Sequence, residues 1–313
     1  MQRSGTGQGS GATGAERADA QLGLVCTLAA FLLWGFNPFY FKAVVDVPPV
    51  EVLAHRVLWS VAMLLPVYLA TRRPWPLRAA FGDRRIWTML LASTAITVAN
   101  WLIYIWSVVS DQLLQASLGY YITPLVNVAI GIAILREGLS RVQAIAVGLA
   151  LVGVILQAIG LGAVPWIGIG IALTFGVYGL LRKQMGIGAL DGTFIEMLLM
   201  LPGALAVLLW FEIVGSGALG SNGVAFDLLL MGAGPVTVIP LVLFVIGARR
   251  IRMIALGFCQ YLTPSIYFLL SVFWYGEAFG LWQLASFAVI WIAIAIFTFD
   301  TVRRISRRAA RSV

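Results

Sequence analysis

The chain has 313 residues, of which 61% are hydrophobic and 11% are charged, and its formal net charge is +8. Soluble domains are about 45–50% apolar and about 25% charged, so this composition excludes an ordinary water-soluble protein and indicates one that lies in a lipid bilayer. With one histidine, two cysteines and no metal-ligand spacing, the sequence predicts no metal site and no cofactor.

Apolar segments follow one another along most of the chain. An α-helix needs about 20 mostly apolar residues to cross a bilayer, and ten segments of about that length are bounded by charges, Pro or Gly. They are 22–45, 52–70, 86–109, 112–135, 140–161, 164–182, 194–214, 224–248, 253–275 and 281–300. The predicted fold class is therefore an all-α membrane protein with ten transmembrane helices. Residues 1–21, rich in Gly, Ser, Ala and Thr, are predicted to form a disordered cytoplasmic tail.

The positive charges fall almost entirely on one side of this arrangement. If the N-terminus is cytoplasmic, 19 of the 21 Lys and Arg residues lie on the cytoplasmic side, and only Lys42 and Arg56 lie on the other. Cytoplasmic loops carry such an excess, so both termini, including a basic tail at 301–313, are predicted to be cytoplasmic in a plasma- or inner-membrane protein. The same placement in short loops argues against nucleic acid as a partner.

The two halves of the chain share a motif. Tyr121-Ile122-Thr123-Pro124 is followed by Glu137, and Tyr261-Leu262-Thr263-Pro264 by Glu277, each glutamate thirteen residues past its proline. A weaker echo relates Phe31-x-x-Trp34-Gly35 to Phe175-x-x-Tyr178-Gly179. Five spans in each half force the second copy to enter from the opposite face, which predicts inverted repeats of the kind common in secondary transporters. The two five-helix repeats are residues 22–161 and 162–300.

Four motifs in the first half carry a family resemblance. They are Phe31-x-x-Trp34-Gly35-x-x-Pro38-x-Tyr40-x-Lys42, Glu51-x-x-Ala54-His55-Arg56-x-x-Trp59-Ser60, Asn100-Trp101-Leu102-x-Tyr104-x-Trp106 and Ala116-Ser117-Leu118-Gly119-Tyr120-Tyr121-Ile122-x-Pro124-Leu125-x-Asn127. They resemble the RarD branch of the EamA family, within the drug/metabolite transporter superfamily, and the resemblance extends over about residues 22–300. It implies ten helices, two five-helix repeats and a central substrate cavity. Members with this pattern are labelled permeases or chloramphenicol-sensitivity proteins.

Three ionisable residues cluster at the start of the second span. Glu51 and His55 are four residues apart and share a helix face, with Arg56 beside them. Ionisable groups inside a membrane are costly and mark functional sites, and histidine is the side chain whose ordinary pKa lies near neutral pH. One interpretation is a coupling site of Glu51 and His55 that responds to protons. The other is structural: Arg56 extends to the interface while Glu51 and His55 brace the helix.

Polar and aromatic residues in the first, third, fourth and ninth spans are candidates for substrate binding, together with Lys42, His55 and Arg56. They are Trp34, Asn100, Trp101, Tyr104, Tyr120, Tyr121, Asn127, Gln260 and Tyr261. Aromatic walls would suit a neutral or weakly charged organic solute. Hydrogen bonds between helices are the alternative role for the polar members.

Other residues have matching positions in the two halves. Pro124 and Pro264 each remove a helix hydrogen bond, so they are candidate hinges for alternating access, or sites of static kinks. Glu137 and Glu277 are predicted to cap the helices that follow them. Lys183, beside other cytoplasmic charges, is interpreted as an interfacial anchor.

Three functions compete at this point. The first is a secondary transporter that moves a small organic metabolite or an amphiphilic drug, with or without coupling to protons; the absence of a Walker A motif argues against direct use of ATP. The second is a membrane scaffold or assembly protein without transport. The third, an intramembrane enzyme, lacks a recognisable catalytic motif, so no enzymatic activity is predicted. The expected partners are a small-molecule substrate and the lipid bilayer, and the oligomeric state is not predicted.

Overall fold

The computed structural model describes residues 8–70, 82–109, 113–162, 164–274 and 280–310. Every regular element in these ranges is helical. The helices are α1 (Gln8–Gly35), α2 (Asn37–Ala43), α3 (Pro49–Ala70), α4 (Arg84–Val109), α5 (Leu113–Ala133), α6 (Arg141–Leu161), α7 (Trp166–Gln184), α8 (Ala189–Val214), α9 (Val224–Met231), α10 (Ala233–Arg250), α11 (Met253–Gln260), α12 (Leu262–Leu269) and α13 (Leu281–Ala310), with a π-helical turn at Leu270–Trp274.

The ten predicted spans each coincide with a helix or with consecutive helices. The first span is α1 with α2, the eighth is α9 with α10, and the ninth is α11 with α12 and the π-helical turn. Among the described residues, seven stretches are long and apolar enough to cross a membrane, and Gly119–Ala133 and Met253–Ile266 are shorter apolar helices. The prediction of an all-α integral membrane protein is confirmed.

The terminal segments differ from the expectation. α1 begins at Gln8, so residues 8–21 are helical where the sequence predicted a disordered tail, and residues 1–7 lie outside the described ranges. The Gly and Ser content suggested disorder, but Ala, Glu and Arg in this segment are strong helix formers, and Asp19 pairs with Arg250 at 2.9 Å. At the other end α13 continues to Ala310, through most of the segment predicted as a basic tail.

The main helix contacts join the two halves of the chain. α6 packs on α13, α5 on both α7 and α11, α1 on α10, and α3 on α8. The α5–α11 contact is close enough to require a glycine: a Cβ at Gly257 would lie 2.6 Å from the carbonyl oxygen of Pro124. Small residues allow membrane helices to approach in this way. The interior between the halves is therefore the place where a shared site can form.

Candidate functional site

A cavity of about 600 Å³ lies between the two halves. Residues of α1 to α5 line it from the first half, and residues of α7, α10, α11 and α12 line it from the second. This volume is within the range of about 300–1,000 Å³ that holds small organic ligands. Its described lining combines aromatic, aliphatic and polar side chains, with two cations, Lys42 and Arg56, and no carboxylate.

Eight of the predicted substrate-binding residues line this one cavity. They are Trp34, Lys42, Arg56, Asn100, Trp101, Tyr104, Tyr120 and Gln260. The remaining four, His55, Tyr121, Asn127 and Tyr261, are not among the lining residues and are buried elsewhere. The structure thus brings together side chains from spans one to four and nine, and their part in binding stays a prediction.

Arg56 is held at the cavity wall by contacts with three helices. It lies on the second turn of α3, which starts at Pro49, a residue suited to a helix N-terminus. Its Nε donates to Thr237 Oγ1 of α10 at 3.0 Å. The guanidinium carbon lies 4.5 Å from the ring centroid of Trp101 and 5.9 Å from that of Phe41. Cation–π contacts with two aromatic rings and one hydrogen bond fix the orientation of the side chain.

Aromatic rings of α1 and α7 form another wall of the cavity. Trp34 and Phe175 meet edge to face, with centroids 5.8 Å apart, and Phe31 and Tyr178 also line the cavity. Phe175 and Tyr178 were not among the predicted site residues. The signal that would have identified them is the echo between the two aromatic pairs, because all four of these residues line the same space.

Two predicted polar residues connect helices. Asn100 Nδ2 donates to Ile171 O at 3.0 Å and to Thr174 Oγ1 at 2.7 Å, so it joins α4 to α7 while it lines the cavity. Asn127 is fully buried and its Nδ2 donates to Gln260 Oε1 at 2.7 Å, which joins α5 to α11. For Asn127 this geometry matches the alternative interpretation, a hydrogen bond between helices.

Glu51 and His55 lie behind the cavity wall. Both are 1% exposed, and His55 Nε2 lies 3.7 Å from Glu51 Oε1. The same carboxylate oxygen accepts a hydrogen bond of 2.7 Å from the backbone N–H of Ala218, in the connection between α8 and α9. This geometry matches the bracing interpretation, and the predicted role of the pair in coupling stays a prediction.

The repeated motif places its residues in different environments. Tyr121 and Tyr261 are both buried and pack in the apolar core that α6 and α13 share with them. Pro124 lies inside the continuous helix α5, whereas Pro264 lies in α12 just after the break at Tyr261 and lines the cavity. Only the Pro264 position coincides with an interruption of a helix next to the cavity. Hinge motion at either proline is a prediction.

Glu137 caps a helix, but not the one that follows it. Its Oε1 accepts from the N–H of Met253 at 2.7 Å and its Oε2 from that of Ile254 at 3.0 Å, at the N-terminus of α11. The helix that does follow, α6, is capped by Ser140 and Gln143 in a capping box. The prediction was wrong about the capped helix because the partner N-terminus is more than 100 residues away in sequence. Glu277 lies outside the described residues.

A buried polar cluster beside the cavity was missed. Arg182, counted among cytoplasmic loop charges, is 1% exposed, and its Nη1 lies 3.7 Å from Glu196 Oε1. Ser93 donates to Glu196 Oε1 at 2.5 Å, and Tyr178 donates to Glu196 Oε2 at 3.3 Å. The cluster therefore reaches the cavity wall through Tyr178. Its neighbour Lys183 donates to Ala248 O at 2.7 Å, which fits the predicted anchor.

Comparison with known proteins agrees with this architecture. The model of the EamA-like transporter family matches residues 21–159. An uncharacterized transporter of Vibrio cholerae is 42% identical over 292 residues, which is 92% of this chain and 95% of that protein. Protein RarD of Salmonella typhi is 40% identical over 282 residues, or 90% and 95% of the two chains. A solved crystal structure superposes with a TM-score of 0.65 at 20% identity, covering 88% of this chain and 97% of that one, a likeness that shows the fold.

Proposed function

Because this chain belongs to the EamA-like transporter family, as a RarD-type member, we propose that it is a secondary transporter that works by alternating access across the inner membrane. The observation that carries the proposal is the cavity of about 600 Å³ between the two halves, lined by polar and aromatic side chains from both. A substrate site between two related halves is the arrangement that alternating access uses. The substrate is a small organic metabolite or an amphiphilic drug.

The helix contacts support inverted repeats. In the order of the spans, α1 corresponds to α7, α3 to α8, α4 to α10, α5 to α11 with α12, and α6 to α13. The counterparts α3 and α8, α5 and α11, and α6 and α13 pack on each other. If every helix is exchanged for its counterpart, the α1–α10 contact becomes the α7–α4 contact, and the α5–α7 contact becomes the α12–α1 contact. All four of these contacts occur. A two-fold relation between the halves accounts for this pattern, and such a relation in the membrane plane allows two mirrored conformations.

Contacts near the ends of helices support the predicted orientation. Asp19 pairs with Arg250, Glu137 accepts from Ile254, and Ser140 donates to Asp300 at 2.7 Å. These contacts gather both ends of the described chain and two basic loops on one face, which the positive-inside rule makes cytoplasmic. The contact of Glu51 with Ala218 belongs to the opposite face.

The cavity reaches one face of the protein. Val44, Val45 and Val47, in the connection between α2 and α3, line it at the end away from the basic loops. The segments 136–141, 182–189 and 248–253 contact one another at the cytoplasmic face. None of the described residues that line the cavity comes from these segments. We interpret this conformation as outward-facing. Alternating access then requires the contacts of Glu137 with α11 and of Lys183 with Ala248 to open.

The convergence of polar residues distinguishes a transporter from a scaffold. A scaffold would place Lys42, His55, Arg56, Tyr104 and Gln260 toward lipid or in separate helix contacts. Instead, all of them except His55 line one cavity. This convergence supports transport. The Vibrio cholerae relative carries a transporter name, and we propose that this chain is likewise a transporter and not an enzyme.

Transport by purified protein tests the proposal. Proteoliposomes loaded with pools of unlabelled amino acids or with chloramphenicol would be assayed for counterflow of the labelled compound, with and without a pH gradient. We expect counterflow with at least one compound; its absence for every compound would contradict the proposal. His55→Ala tests coupling to protons. If the variant retains counterflow but the pH gradient no longer affects it, a coupling role for His55 is supported. If the pH gradient affects the variant as it affects wild type, that role is contradicted.

A further inference from the structure

We propose that Arg56 binds an anionic group of the substrate, and that the substrate class is an organic anion or zwitterion with one carboxylate-like group and an apolar body. The site is the cavity described above. Binding of the anion does not depend on the proposed function, and only the statement that the bound compound is transported rests on it. It departs from the neutral or weakly charged solute that the aromatic residues predicted. Four observations lead to it.

The first observation is the charge of the cavity. Its described lining includes two cations, Lys42 and Arg56, and no Asp or Glu. The acidic neighbour on α3, Glu51, is engaged by the backbone N–H of Ala218 behind the wall and is not among the lining residues. A cavity with low-dielectric walls and charges of one sign concentrates solutes of the opposite sign.

The second observation is that Arg56 has no acidic partner within the described ranges. Arg182, Arg250 and Arg252 each lie within 4.0 Å of a carboxylate. The side chain of Arg56 is half-buried and has one described hydrogen bond, from Nε to the Thr237 hydroxyl. A charge removed from water is costly without a compensating charge, and a substrate carboxylate would supply it.

The third observation is the orientation of the guanidinium. Its Nε donates to Thr237, and its central carbon lies over the ring of Trp101. The two terminal nitrogens therefore form the available edge of the fork. Two parallel N–H donors on that edge match the two oxygens of a carboxylate, which makes a bidentate contact stronger than one between neutral groups.

The fourth observation is the set of groups around this edge. Tyr104 and Tyr120 line the same cavity as Arg56, and each carries a hydroxyl. Thr97 also lines the cavity, and its hydroxyl has no hydrogen-bond partner among the described residues. Hydroxyls can donate to a carboxylate that Arg56 holds. Beyond them, the wall of Trp34 and Phe175 offers aromatic surface to an apolar body.

Matched probes of one shape and different charge test the inference by binding. The protein would be placed in nanodiscs of phosphatidylcholine and titrated with N-acetyl-phenylalanine, its neutral amide, and the cationic phenylalanine amide, with phenylacetate and indole-3-acetate as further carboxylates. Binding would be measured from the shift of the unfolding temperature. We expect a carboxylate to bind wild type about ten-fold or more tightly than its amide, because a charge-assisted pair is stronger than a hydrogen bond between neutral groups.

The variants assign this preference to Arg56. Arg56→Gln should bind the acid and the amide within about three-fold of each other, and Arg56→Lys should keep the anion preference with weaker binding, because it retains the charge without the fork. Arg85→Gln, which removes an exposed arginine at the start of α4, is the matched control and should behave as wild type. Arg56→Lys decides the result if Arg56→Gln does not fold.

The inference is overturned if wild type binds the acid and the amide equally, or if it binds no carboxylate at all. It is also overturned if the preference for the anion survives in Arg56→Gln or vanishes in Arg56→Lys.

Failure of the proposed function would be seen separately. Carboxylates that bind through Arg56 but show no counterflow would leave this inference standing without transport. Counterflow restricted to neutral or cationic compounds would leave transport standing without this inference.

Discussion

Arg182 Nη1 lies 3.7 Å from Glu196 Oε1, and both side chains are 1% exposed. Arg182 also donates from Nη2 to Ala189 O at 2.9 Å, and Glu196 accepts from Ser93 and from Tyr178. A buried ion pair contributes little net stability when its desolvation is counted, but removal of one partner leaves a charge stranded in the interior. The pair joins α7 to α8 beside the cavity, so its integrity supports the wall to which Tyr178 belongs.

Glu196→Ala should therefore destabilise the protein strongly. It leaves the Arg182 guanidinium buried without a carboxylate, at a cost of about 3–5 kcal/mol. Thermal unfolding of the protein in nanodiscs would measure the effect. Glu212→Ala, which removes an exposed carboxylate near the end of the same helix, is the control and should change stability by less than about 0.5 kcal/mol. Equal unfolding temperatures for the two variants would contradict the assignment.

Gly257→Ala should destabilise the contact between α5 and α11. The added Cβ would lie 2.6 Å from the carbonyl oxygen of Pro124, so one helix must shift, and overpacking of this kind costs about 1–3 kcal/mol. Gly148→Ala in α6 is the matched control, because a Cβ there meets nothing within 4 Å. The same unfolding assay applies, and a Gly257 variant as stable as the Gly148 variant would show that the approach is looser than described.

Accessibility labelling should place the basic loops on a single face. In a variant with Cys26 and Cys259 replaced, Arg85→Cys and Arg250→Cys should both react with a membrane-impermeant maleimide from the cytoplasmic side. Asn222→Cys, in the connection between α8 and α9, should react from the opposite side. Labelling of Arg85→Cys and Arg250→Cys from opposite faces would contradict both the orientation and the inverted repeats that we propose.

Glu137→Ala should favour the inward-facing conformation. It removes the two hydrogen bonds to Met253 and Ile254 that cap α11 at the cytoplasmic end, an interaction worth about 1–2 kcal/mol. A free-energy change of that size alters the ratio of the two conformations by about five- to thirty-fold. The measurement is the rate at which a cysteine in the cavity, introduced as Leu241→Cys, reacts with a membrane-impermeant maleimide added to inside-out vesicles.

The Glu137 experiment has its own control. Glu212→Ala should not alter the labelling rate of the Leu241→Cys variant, because Glu212 lies in the last turn of α8 and is exposed. An unchanged rate in Glu137→Ala would mean that the cap of α11 does not hold the cytoplasmic end closed.

Much of the fold was predictable because membrane helices follow rules of length and charge. The ten spans come from apolar runs, and the positive charges identify the cytoplasmic loops. Arg182 shows where this reasoning stops. A charge at the end of an apolar run is counted as a loop residue, yet the structure buries it against Glu196, because a partner on the next helix compensates it.

The cavity was partly predictable for a different reason. Trp34 and Trp101 belong to recognisable motifs, whereas Thr97 and Thr237 carry no signal in the sequence because threonine is common at ordinary helix contacts. Likewise, nothing in the neighbourhood of Asn127 indicates that its partner is Gln260. Such pairs depend on how helices from distant parts of the chain face each other, which periodicity alone does not determine.

The hydrogen bond between Asn127 and Gln260 spans 133 residues of sequence. A ribosome adds about 5–20 residues per second, so the first partner waits in the bilayer for on the order of ten seconds before the second is made. The earlier helices must be inserted with polar surfaces that only later helices will cover. A nascent chain released after its first six helices would expose those surfaces to lipid, and the cell's quality-control proteases would have an early substrate.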